Sequence, residues 1–210
     1  MKGVIVALLF LSACHHSQKQ SETEIAPQII DTTKAIKIGA YWAAPKSIFK
    51  FNSLQDSTGD TLTLVTCAEY GFSPFGKLED KSEIKNGALK NFSVTDTDVL
   101  FFGNPFVCQT LEHNTSRLLL FFDHDPYASR SSYICQGKIT DSDVFLIEGV
   151  KVGMSKESFI ETFFDAFPKE LIAKYNFIAF VTCVADITHT YAFKNGKLQS
   201  ITFNQTEFRR

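Results

Sequence analysis

Between residues 153 and 167 the apolar positions recur at helical spacing. Phe159, Ile160, Phe163, Phe164 and Phe167 share one side of a 3.6-residue wheel while Glu161 and Asp165 point elsewhere, which predicts one principal amphipathic helix over about 155–167. Its start carries the expected chemistry: Ser155 as N-cap, Glu157 in the first turn where the helix dipole favours an acid, and Met154 placed to pack on Phe159. Pro168 ends the run. A phenylalanine stripe of this kind needs a sheet to cover it.

The segments around it supply strands. Phe177 to Val181 is a continuous apolar run, Thr188 to Phe193 is a second, and Asn195-Gly196 is a type I′ hairpin signal leading into Leu198 to Phe203. A two-residue turn sets Phe193 opposite Leu198. On an unbroken register Tyr191 would then face Ser200 and Ile201 would face Thr190, splitting the apolar set between two faces, so a bulge, an edge or partial cover on both faces is expected. Upstream, Thr61 to Cys67, Val99 to Phe102, Leu118 to Phe122 and Tyr133 to Ile139 read as strands, the last two separated by the turn residues Asp123-His124-Asp125-Pro126. The stretch from Lys77 to Lys90 alternates charge and contains Asn86-Gly87, as a solvated loop or short exposed helix would. The fold class is therefore α+β, mainly antiparallel sheet with the helix packed on it. A β-rich part over 36–140 precedes a helix-plus-antiparallel-sheet unit over 141–210, the two packed together.

The N-terminus has a different pattern. Met1-Lys2 leads an uncharged run from Gly3 that ends in Leu11-Ser12-Ala13-Cys14. The run falls far short of the roughly 20 residues that span a bilayer, yet it suits the core of a signal peptide. The ending resembles the lipobox of a bacterial lipoprotein. That resemblance implies a signal peptide over 1–13, lipidation of Cys14, palmitate among its acyl chains, and attachment to a lipid bilayer in the bacterial cell envelope. His15, where Asp would retain the protein at the inner membrane, implies the outer membrane, facing periplasm or surface. Residues 14–35 are rich in Gln, Ser, Thr, Glu and Lys without an apolar period, which predicts a flexible tether.

Charge and cysteines narrow the function. Beyond residue 13 the chain carries 20 basic and 23 acidic residues, too balanced for a nucleic-acid partner. With Cys14 assigned to lipid, Cys67, Cys108, Cys135 and Cys183 remain, an even number in a compartment that permits disulfide bonds. Pairing Cys67 with Cys108 and Cys135 with Cys183 would staple each half of the chain; buried free thiols in apolar strands are the alternative. No Cys-x-x-Cys spacing occurs. Asp123, His124 and Asp125 are the best local candidates for a ligand or partner contact, although a polar turn accounts for the same residues. Thr140-Asp141-Ser142-Asp143 lacks the glycine and distal Glu of a calcium loop. The sequence carries no nucleophile elbow, phosphate loop or metalloprotease helix, and no cofactor or metal is expected.

The Gly153-Met154-Ser155-Lys156-Glu157 helix start, the apolar strand and the Tyr191-x-Phe193-Lys194-Asn195-Gly196-Lys197-Leu198 hairpin together resemble a repeat of small bacterial lipoproteins. Those are related to the outer-membrane assembly factor and the β-lactamase inhibitor protein. Over about 145–204 the resemblance implies binding of another protein through the sheet or its loops, with no chemistry. The expected function is a membrane-anchored envelope lipoprotein acting as a non-enzymatic protein-binding module, its partner an envelope or incoming protein. Two alternatives stay open. One is a periplasmic immunity or inhibitor lipoprotein against a toxin or hydrolase; the other is a metal-dependent hydrolase, which requires His124, His189 or a cysteine to converge with carboxylates.

Overall fold

The computed structural model describes residues 31–101, 104–128, 130–184 and 187–205. The expected signal peptide, the expected lipidation site Cys14 and the expected tether up to residue 30 lie outside the described residues. The chain runs β1 (Ile36–Ile38), β2 (Tyr41–Pro45), β3 (Phe51–Thr58), β4 (Thr61–Thr66), α1 (Glu69–Phe72), α2 (Lys81–Ile84), β5 (Ser93–Phe101), β6 (Asn104–His113), β7 (Ser116–Phe122) and β8 (Ser132–Ile139). It continues through α3 (Lys156–Phe163), β9 (Phe164–Ala166), α4 (Lys169–Lys174), β10 (Phe177–Thr182), β11 (Ile187–Lys194) and β12 (Lys197–Gln205).

Nine strands form one sheet in the order β3-β4-β10-β11-β12-β8-β7-β6-β5, with β1-β2-β9 as a small second sheet. The large sheet thus takes strands from both parts of the chain. Its pairs are antiparallel except one: β4 and β10 run parallel, Leu62 beside Ile178 and Leu64 beside Phe180. Antiparallel α+β architecture holds in outline, and this parallel pair is what local pattern did not reveal.

The 195–196 hairpin forms as expected, with positive φ at both Asn195 (52°) and Gly196 (69°). Phe193 pairs with Leu198, then the register shifts, so that Tyr191 faces Ile201 and His189 faces Phe203. The shift keeps Ile187, Tyr191, Phe193, Leu198, Ile201 and Phe203 together on the buried face.

Helix α3 begins at the expected cap, where Ser155 Oγ accepts from the Ser158 N–H at 3.0 Å. It ends at Phe163, four residues before the predicted end. Phe164 and Ala166 instead pair with Pro45 and Ala44 of β2, and the Phe164 ring stacks on Phe51 with centroids 5.5 Å apart. Burial of Phe164 against the sheet is achieved as a strand, and sheet bonds with β2 replace the last helical turn. A short helix follows over Lys169–Lys174, which sequence pattern had not indicated. Of the charged 77–90 stretch, only Lys81–Ile84 is helical, capped by Asp80 accepting from Ser82 N–H at 2.7 Å; Ile84 and Leu89 turn inward.

All helices and the small sheet sit on one face of the large sheet. Phe159 lies 4.6 Å from Tyr191 and 5.2 Å from Phe193, and Phe163 lies 4.8 Å from Phe180 and 4.6 Å from Phe49, ring to ring. Two lysines tie this layer down. Lys46 Nζ donates to the Glu161 carbonyl at 2.6 Å, and buried Lys156 Nζ donates to the Tyr175 carbonyl just past α4. At the other end of the sheet plan, Ile84, Leu89 and Phe92 cover Leu111 and Leu118.

The expected cysteine pairing is corrected. Cys67, after β4, bonds to Cys183, after β10, with Cα atoms 5.2 Å apart. The parallel β4–β10 pair brings these two chain ends side by side, which no contiguous pattern encodes. Cys108 and Cys135 are free and buried.

Candidate functional site

The Asp123-His124-Asp125 cluster resolves into loop architecture. Asp123 N–H donates to the Ser131 carbonyl at 2.9 Å, closing a nine-residue connection between β7 and β8. Within it, Asp123 Oδ1 accepts from Asp125 N–H at 3.0 Å and Asp125 Oδ1 from Tyr127 N–H at 2.9 Å. Both carboxylates therefore hold backbone in Asx turns. His124 is exposed, and the nearby Asp80 carboxyl is held below its usual range chiefly by the hydrogen bonds that the Ser82 hydroxyl and N–H donate.

The other histidines lie elsewhere. His189 is in the core, under α1, while His113 Nε2 meets Asp143 Oδ2 at 2.9 Å beside the Phe92 ring. Asp141 accepts from the N–H groups of Thr115 (3.2 Å) and Ser116 (2.9 Å) and from Ser116 Oγ (2.5 Å), stitching the start of β7 to the end of β8. The 140–143 stretch is thus a structural turn. Among the described residues, no three His, Cys, Asp or Glu side chains gather where a metal could be held. His124, His189 and the cysteines are not brought into one pocket.

What the fold does assemble is a large uncovered face on the side of the nine-stranded sheet opposite the helices. Alternation along each strand sends one residue in two there. Register lines them into rows across the sheet: Thr63, Ala179, Thr190, Thr202, Lys138, Arg117 and Glu112 in one, and Val65, Val181, Thr188, Asn204, Gln136, Leu119 and Thr110 in the next. Among the described residues, none of the helices packs over these rows, and none of the row residues belongs to the main core.

The face is divided chemically. Toward β4 and β10–β12 it is mostly threonine and small apolar residues. Toward β5–β8 it becomes aromatic: Phe106 and Phe121 meet edge to face at 5.6 Å, and Phe121 stacks with Tyr133 at 6.5 Å. Phe121, Tyr133 and Leu119 remain half-buried. Beside them a shallow hollow of about 460 Å³ is lined by Thr97, Thr110, Leu119, Gln136 and Asn204, with Arg117 and Lys138 on it. Arg117 Nε lies 3.5 Å from Glu112 Oε1, both side chains well exposed. The 123–131 loop borders this end of the sheet with Tyr127, 93 % exposed at its tip.

Two further concavities lie off this face. A groove of about 720 Å³ between α3 and α4 is floored by Ile160, Phe164, Phe167, Ile172 and Phe193. A small pit of about 130 Å³ holds Glu69, Lys77, Glu79 and Arg130; there Ser131 Oγ donates to Glu79 at 2.5 Å and Ser73 Oγ to Glu69 at 3.0 Å. Its two carboxylates thus accept from neighbouring hydroxyls, and the Arg130 guanidinium stacks on Phe72 at 3.6 Å.

The strands that bear Leu119, Phe121 and Tyr133 were legible in the sequence, but their exposure was not. The one signal was that β7 reads apolar at nearly every position, so some of its large side chains had to lie on the second face. No helix among the described residues is long and apolar enough to cross a membrane. Comparison of the chain with protein-family models, with curated proteins and with solved structures returns no match.

Proposed function

We propose that this chain is an envelope lipoprotein, anchored in a bilayer through acylated Cys14, that binds another protein without doing chemistry, and that the uncovered face of the large sheet is where it binds. The observation that carries this is the aromatic end of that face. Phe121, Tyr133 and Leu119 stay partly open to solvent beside a hollow edged by Arg117 and Lys138. An apolar centre with a charged border is the composition of a protein-binding patch. The anchor reading rests on the lipobox resemblance of Leu11-Ser12-Ala13-Cys14.

Two measurements test the two parts separately. Metabolic labelling with a tagged palmitate is expected to mark the wild type and not Cys14→Ser; an unlabelled wild type would remove the anchor. Cross-linking in intact cells, with a photoreactive residue at position 119 or 121, is expected to trap one discrete protein. Equal yields from residues on the α3 side would remove the binding face.

A second reading, an inhibitor or immunity lipoprotein, draws support from the 123–131 loop. Its two Asx turns hold Tyr127 outward, as a probe that enters a partner's cleft would require. Under that reading Tyr127→Ala weakens the trapped complex more than Phe121→Ala does.

A further inference from the structure

The chain has a single tryptophan, and it is not in the core. Trp42 and its neighbour Tyr41, at the start of β2, are 39 % and 40 % exposed. Rings of this size hold much of a core's energy when buried, so two of them left in solvent on one hairpin call for a reason. The turn between β1 and β2 is Gly39-Ala40, both exposed, with Ile38 beside Tyr41 and Lys37 beside Trp42. On the other side β9 reaches only Ala44 and Pro45, so among the described residues the two rings stand where the small sheet is only two strands wide. Ile36, Ile38 and Ala43 are buried, while Lys37 and Trp42 share the outward face, the Lys37 Nζ 6.0 Å from the indole centroid. A cation and an indole are thus presented together.

Charge along this segment has one sign. Between Asp31 and Asp56 the charged residues are Lys34, Lys37, Lys46 and Lys50, with no carboxylate among them. Lys46 is committed to the Glu161 carbonyl; Lys34, Lys37 and Lys50 are exposed. Asp31, at the head of the run, accepts from the Thr33 N–H and hydroxyl at 3.0 and 2.6 Å. Tyr127, more exposed still, instead follows two carboxylates, Asp123 and Asp125. Amphipathic rings among lysines suit the headgroup layer of a bilayer: indole and phenol settle at that depth, lysine stems lie along the apolar surface, and the ammonium groups meet anionic phosphates. β1 is also the first described element after Cys14.

We propose that the β1–β2 hairpin is a second contact with the membrane, in which Trp42 and Tyr41 enter the headgroup layer of an anionic bilayer and Lys34 and Lys37 pair with its phosphates. The contact rests on the anchor reading for the bilayer's being within reach; the attraction is the hairpin's own. Because the small sheet lies on the helix side of the large one, docking here leaves the uncovered face free for a protein partner.

Trp42 is its own probe, since no other tryptophan contributes to the emission. The wild-type chain and Cys14→Ser are each mixed with vesicles of phosphatidylcholine, alone or with an equal part of phosphatidylglycerol, with and without lipids brominated near the headgroup. On the anionic vesicles both forms are expected to show blue-shifted emission quenched by bromine. In Cys14→Ser the effect should vanish on phosphatidylcholine alone and in molar salt, and Lys34→Glu/Lys37→Glu should weaken its vesicle affinity about tenfold. Sedimentation reads the anchor separately: a wild type retained no better than Cys14→Ser would count against the anchor, while quenching in Cys14→Ser would still support the hairpin. Wild type retained on vesicles with Trp42 unquenched, or quenching in Cys14→Ser that is equal on neutral vesicles or undiminished by the lysine substitutions, would overturn the proposal.

Discussion

The hydroxyl of Tyr70 lies 2.8 Å from that of Tyr191, a hydrogen bond between residues 121 positions apart that is sealed inside the core. Tyr191 is also 3.5 Å from Nδ1 of His189, so three polar groups from α1 and β11 form one chain. Burial raises both phenols well above their ordinary range, and they stay neutral donors and acceptors throughout the physiological range.

Removing the middle member should cost most. Tyr191→Phe orphans both Tyr70 and His189, whereas Tyr70→Phe leaves Tyr191 a partner. Each orphaned buried group costs about 1–3 kcal/mol. Urea unfolding is expected to rank Tyr191→Phe below Tyr70→Phe in stability, with the double variant losing less than the two singles combined.

His189 makes the fold acid-sensitive. Burial pushes its pKa down to about 3, against the Gly71 backbone, which favours the charged form; Nε2 has no partner. In the unfolded chain the imidazole titrates near 6.5. Between those values the unfolded state holds the extra proton, so His189's contribution is full above pH about 6.5 and is lost as pH falls toward 3, at about 1.4 kcal/mol per pH unit. Unfolding free energies at pH 7 and 4.5 should differ less in His189→Phe than in the wild type; equal differences would contradict the linkage.

The Cys67–Cys183 bond closes a loop of 116 residues and both sulfur-bearing residues are exposed. Closing so long a loop is worth about 2–5 kcal/mol, mainly by restricting the unfolded chain. Dithiothreitol under native conditions should reduce it and lower Tm, and Cys67→Ala/Cys183→Ala should match the reduced wild type.

Gly137 has no room for a side chain. A Cβ there would stand 2.5 Å from Leu118 Cδ2 and 2.7 Å from the Arg117 carbonyl. Leu118 could turn aside, but the carbonyl belongs to the paired backbone of β7. Gly137→Ala is expected to destabilise by about 1–3 kcal/mol despite raising strand propensity, read by chemical denaturation.

How far the sequence reaches is visible in these same elements. The Ser155 cap and the Asn195-Gly196 turn depend on residues within a few positions of one another, and both were legible; the bulge that follows was one of three arrangements the alternation left open. The helix end was misjudged because Phe164 and Phe167 keep helical spacing, while the decision belongs to β2, which lies about 120 residues upstream. The Asp123 and Asp125 carboxylates looked like chemistry for a related reason: a list of residue types does not show that each already holds a backbone N–H.

By itself the sequence determined part of the local grammar: that β4, β7, β8, β10, β11 and β12 are strands, where α3 starts, how β11 turns into β12, and that the N-terminus resembles a lipid-anchoring signal; β1, β2, β3, β6 and β9 were not indicated. Tertiary structure decided everything that needs two distant strands to meet. The parallel β4–β10 contact selects Cys183 as the partner of Cys67, the bulge in β8 places Cys135 in one buried cluster with Cys108, and the placement of the described helices on one face leaves Leu119, Phe121 and Tyr133 open on the other. The physical reason is that caps and turns are satisfied within a few residues, whereas register and layering are collective choices of the whole core.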